Sequence, residues 1–115
     1  MNNTGFIKLH RSILGWSWYR DLNTRSLFIH LLLTACWEDA RHMNRVIKRG
    51  QCCTTVKELA TDNRQTIQQI RTALEHLKST NDITIETTPQ FSIITITNYD
   101  LYQQGGRPIN SQAAD

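Results

Sequence analysis

"TVKELATDNRQTIQQIRTALEHLKS", residues 55–79, contains two helix starts in quick succession. Thr55 with Glu58, and Thr66 with Gln69, both have the spacing of a capping box. In that motif a hydroxyl accepts from the third helical N–H, and the acid or amide reaches back to the cap. The spacing therefore predicts a short helix from Val56 and a longer one from about Ile67. The first cannot run far, because "TDNR" (61–64) breaks the apolar rhythm and Asn63 tolerates a left-handed turn. In the second, Ile67, Ile70, Leu74 and Leu77 recur at i, i+3, i+7 and i+10, which marks a buried stripe. That helix ends near "STND" (79–82).

The flanking segments extend the pattern. "ITIETT" (83–88) and "FSIITIT" (91–97) alternate and are β-branched, so they read as two strands joined across Pro89-Gln90. Asn23 reads as the N-cap of "TRSLFIHLLLTAC" (24–36), an apolar central helix whose Leu27, Phe28, Leu31, Leu32 and Ala35 fall at helical spacing. "GFIKLH" (5–10) alternates like a short strand, and "EDARHMN" (38–44) reads as a loop. "RVIKRGQCCT" (45–54) combines a β-branched pair, a Gly turn and another extended run, and reads as a strand or hairpin arm able to pair with the terminal hairpin. Trp16, Trp18 and Tyr19 lie close together. They suit stacking on bases, but such clusters more often seal one end of a small core. "NYDLYQ" (98–103) is expected to pack back on the body. The tail, "QGGRPINSQAAD" (104–115), has little to bury and reads as a flexible end or a linker to a further domain.

A short helix, a tight turn, a longer helix and a two-stranded hairpin make the order of a winged helix-turn-helix. The expected fold is thus α+β over residues 1–103, with a three-helix core and a small antiparallel sheet. The chain's 115 residues and 39% hydrophobic content suit one such domain. No targeting segment or membrane span is legible, so a soluble cytoplasmic protein is expected. Cys36, Cys52 and Cys53 form neither a disulfide framework nor a Cys-x-x-Cys pair, so no metal or cofactor is expected. Nor is there a nucleophile–base set or a phosphate-binding glycine loop, and an enzyme is not expected.

The charge is mildly basic, +3, and it is clustered. "RHMNRVIKR" (41–49) holds Arg41, Arg45, Lys48 and Arg49 with no acid. On the longer helix, about 100° per residue puts Gln68, Gln69, Thr72, His76 and Ser79 opposite the apolar stripe. Arg71 and Lys78 lie along one edge, roughly 10 Å apart. Amides near a helix start can bond adenine in the major groove, and Thr72 can touch a thymine methyl. Cations on the flank suit phosphates. Gln69 has a competing duty in the capping box, which makes Gln68 and Thr72 the cleaner base-reading candidates. Arg64 and Gln65 sit in the turn. Arg45, Lys48 and Arg49 are candidates for a second phosphate contact, because the "ETTPQF" wing has no cation.

"GFIKLHRSILGWSWYRD", "NTRSLFIHLLL", "VIKRGQ", "QQIRTALEHLKSTNDITI" and "ITITNYDLYQ" together resemble the N-terminal winged-helix domain of phage and bacterial replication proteins, the replisome-organiser and DnaD-type primosomal group. The resemblance covers roughly residues 5–103. It implies a role in replication initiation, with duplex DNA, further copies of the chain and a helicase or its loader as partners. The turn departs from the group's pattern of glycine, large aliphatic and Ser/Thr, having Arg64, Gln65 and Thr66. That departure predicts a more exposed or reshaped turn, with Arg64 and Gln65 free for a partner. The alternatives are a protein-interaction winged helix, with Trp16, Trp18 and residues 5–9 as interface, and a transcriptional regulator.

Overall fold

The structure, a computed structural model, describes residues 5–103; the tail at 104–115 lies outside them. A 3-10 turn (Arg11–Gly15) precedes α1 (Leu22–Thr34). Three short strands follow, β1 (Ala40–His42), β2 (Arg45–Ile47) and β3 (Gln51–Thr54). Then come α2 (Val56–Asn63), α3 (Ile67–Ser79), β4 (Ile83–Thr87), β5 (Ser92–Ile96) and a last helical turn, α4 (Tyr99–Gln103). The domain is a mixed α+β body with two antiparallel sheets. One is the β1–β2 hairpin; the other has the order β3-β5-β4.

The helix starts follow from their caps. Thr55 accepts from the Glu58 N–H, and Thr66 closes a full capping box with Gln69, so α2 and α3 begin where the spacing predicts. For α1 the cap is Asp21, not Asn23: its carboxylate accepts from the Thr24 N–H, and the helix starts at Leu22. A carboxylate at a helix start also meets the positive end of the dipole. The α2–α3 turn keeps Asn63 in the helix, where its amide donates to the Leu59 carbonyl. The left-handed residue is Arg64, φ 54 and ψ 44.

Three segments differ from expectation. Residues 5–10 form no strand; the Gln103 side chain brackets the Lys8 backbone instead, accepting from its N–H at 2.8 Å and donating to its carbonyl at 3.1 Å. A side-chain amide there replaces the strand partner that the alternation called for. Residues 40–42 are not loop but the first arm of a hairpin, registered Ala40–Ile47, Arg41–Val46 and His42–Arg45. Residues 45–54 are the expected two extended runs about a turn at Gly50, which has φ +86, but the runs enter different sheets instead of one strand or arm. A Cβ at Gly50 would stand 2.9 Å from Tyr99 Cβ, so both the conformation and the close approach require glycine.

Cross-strand register sets the two faces of the three-stranded sheet. Cys52, Ile94 and Ile85 align on one face, as do Ile83 and Ile96. That face meets α1 and α3 through Leu27, Phe28, Leu31, Ile70, Ala73 and Leu77 in one core. Cys53, Ile93 and Glu86 align on the other face. Ile93, on that face, and Ile47, on β2, are both buried yet lie outside the main core.

Candidate nucleic-acid interface

α3 presents one face of its first two turns outward. Gln68, Arg71 and Thr72 are exposed, and the Gln68 amide lies 3.4 Å from the Thr72 hydroxyl. Arg71 has no ion pair among the described residues. Gln69 is also exposed, but its side chain holds the Thr66 N–H at 2.8 Å. Lys78 reaches Glu75 on the same helix at 3.4 Å, a surface pair of small worth.

The helix is rotated relative to the predicted stripe. Its buried positions are Ile70, Ala73, Leu74 and Leu77, whereas Ile67 is 46% exposed. As the first helical residue, Ile67 stands beyond the packed layer, and Ala73 takes the fourth buried position. The same rotation removes His76 from the outward set. Its Nδ1 lies 2.8 Å from the Thr24 hydroxyl and 3.2 Å from an Asp21 carboxylate oxygen. Its ring stacks on Trp18 at 4.2 Å.

Both tryptophans belong to this seam. Trp18 donates to Thr80 and Trp16 donates to Asp82, while Trp16 also packs on Phe28. The aromatic pair therefore locks the end of α3 to α1 instead of offering a stacking platform. Partial burial raises the Asp82 pKa, against hydrogen bonds from Thr80 and Trp16 that pull it down.

In the turn, Arg64 projects from its left-handed position and is exposed. Gln65 is not free for a partner. Its amide donates to the Asn23 carbonyl at 3.2 Å, and its own carbonyl oxygen is buried without a hydrogen bond. It fills the place the resemblance assigns to an aliphatic residue, as a packed side chain.

The basic segment divides in two. Arg49 packs on Tyr99, pairs with Asp100 and donates to the Trp37 carbonyl, so it serves as a brace. Arg45 pairs with Glu86 on β4 at 3.0 Å. Lys48 and Arg41 are exposed, and neither has an ion pair among the described residues. Arg41, at the start of the basic run, takes its direction from the hairpin register. The left-handed residue of that hairpin turn is Met43, φ 55.

A groove of ≈ 410 Å³ separates α3 from the sheet, bounded by Arg71, Leu74, Lys78, Ile85, Thr87 and Ile94. Burial pushes the Cys52 thiol up to about 12 and raises Cys36 and Cys53 as well. Thiols so shifted stay protonated near neutrality and are poor nucleophiles. Among the described residues no His, Cys, Asp and Glu side chains gather into a metal-holding group, and no helix is long and apolar enough to cross a membrane. The chain matches no family model, no curated protein and no solved structure.

Proposed function

We propose that the domain is a winged helix-turn-helix that binds duplex DNA, with α3 in the major groove and the β4–β5 hairpin as wing. The observation that carries this reading is the outward face at the start of α3. Gln68, Arg71 and Thr72 stand exposed there after Arg64, while Ile70, Ala73, Leu74 and Leu77 anchor the other face of the helix in the core. Amide, hydroxyl and guanidinium groups on a rigid helix suit base edges and phosphates together. The phage- or plasmid-type replication setting rests on the resemblance of residues 5–103 to replisome-organiser domains.

Fluorescence anisotropy with a labelled duplex, titrated with salt, tests this. Affinity falls linearly in log–log form, and Arg71→Ala and Lys78→Ala each reduce the slope by about 0.9. Absence of binding at low salt ends the reading.

Self-association is the second reading, favoured by one observation: Phe6 is 89% exposed in a segment held in place by Gln103. Its interface would use Phe6 and Leu9 rather than Trp16 and Trp18, which are engaged within the domain. Concentration-dependent mass in sedimentation, lost in Phe6→Ser, would support it.

A further inference from the structure

The chain after α3 is unusual for a segment that faces DNA. Residues 79–103 contain Asp82, Glu86 and Asp100, and no lysine or arginine. The β4–β5 wing itself carries one acid, Glu86, and no cation to hold a phosphate backbone. The missing cations stand on the neighbouring hairpin.

β1–β2 meets the outer face of the sheet through two side-chain contacts, with buried isoleucines on both elements. Ile47 and Ile93 are buried outside the main core. The His42 ring meets Phe91 edge-on with centroids 5.3 Å apart. Arg45 Nη2 lies 3.0 Å from a Glu86 carboxylate oxygen. Met43 and Asn44 turn the first hairpin directly after His42, and Pro89 and Gln90 turn the second directly before Phe91. The two hairpin tips therefore stand side by side. Strand alternation turns Arg41 and its partner Val46 away from the sheet, and both are exposed.

We infer that the β1–β2 hairpin is a second DNA-contacting element, placing Arg41 and Arg45 against the phosphate backbone beside the wing. Arg45 also masks Glu86, the one acid on β4 or β5. A guanidinium has five donors, so Arg45 can hold the carboxylate and a phosphate oxygen together. The Arg45–Glu86 pair is itself exposed, which makes exchange toward phosphate cheap. Arg49 is left out, since its contacts with Tyr99, Asp100 and Trp37 tie down the base of the hairpin. This inference rests on α3 being the DNA-reading helix.

The test uses the full chain, a labelled duplex of arbitrary sequence and anisotropy across a salt series. Arg41→Ala and Arg45→Ala are each expected to reduce the log–log salt slope by about 0.9, the contribution of one phosphate contact. Glu86→Gln is expected to raise affinity at low salt and to keep the slope, because it removes a repelling charge while Arg45 keeps its phosphate contact. A structural role for the ion pair would instead move both variants in the same direction, since each breaks it. Unchanged slopes in Arg41→Ala and Arg45→Ala, with Arg71→Ala still flattening it, overturn the hairpin and leave α3 standing. No binding by the unaltered chain at low salt overturns both.

Discussion

Arg64 holds φ 54, a left-handed conformation that costs a residue with a Cβ roughly 1–2 kcal/mol. Glycine takes that conformation without strain. Arg64→Gly should raise the unfolding free energy by about 1 kcal/mol in urea melts, while weakening duplex binding through loss of a cation. Equal binding by that variant would remove Arg64 from the interface. Gly50 is the converse case. Gly50→Ala meets both a positive φ and the Tyr99 Cβ at 2.9 Å, and should cost on the order of 2–3 kcal/mol. Asp82 makes a pH prediction. Its folded-state pKa is raised by burial, so the native chain binds that proton more tightly than the unfolded one. The stabilisation is complete below the ordinary value of 3.8 and is lost as pH rises through the folded pKa. The difference in urea midpoint between the unaltered chain and Asp82→Asn, followed across that range, should show this slope; a flat difference contradicts it.

The starts of α2 and α3 were the most legible elements, because a capping box is written in local chemistry. Thr66 and Gln69 satisfy each other's N–H groups with no help from the rest of the fold. Thr66→Ala should therefore cost about 1 kcal/mol in thermal or urea unfolding, with a smaller loss for Gln69→Ala. The face of α3 was less legible. Ile67 fits the apolar period, but a helix's first turn can overhang the layer it packs on, and Ala73 gave no strong signal as a small residue. That error carried His76 to the wrong side, where the sequence could not foresee Thr24, Asp21 and Trp18 arriving from elsewhere in the chain. The N-terminal segment failed for a related reason. Its alternation suits a strand, yet the partner it finds is the Gln103 side chain, ninety-five residues away.

Across the molecule, helix order and the terminal hairpin could be read from the chain because each depends on local periodicity. The β1–β2 hairpin could not. It is short and exposed, and it is held by tertiary contacts to Phe91 and Glu86. Its position decides which of the basic residues are free: Arg49 and Arg45 have partners within the fold, whereas Arg41 faces solvent. The proposed interface thus joins a face read partly from the sequence with a hairpin visible only in three dimensions. Backbone amide shifts, recorded by heteronuclear NMR as an unlabelled duplex is added at low salt, test the DNA-binding claim most directly. The account predicts the largest shifts at Arg64, Gln68, Arg71 and Thr72. A spectrum unchanged by DNA, or shifts confined to the segment around Phe6 and Leu9, would contradict it.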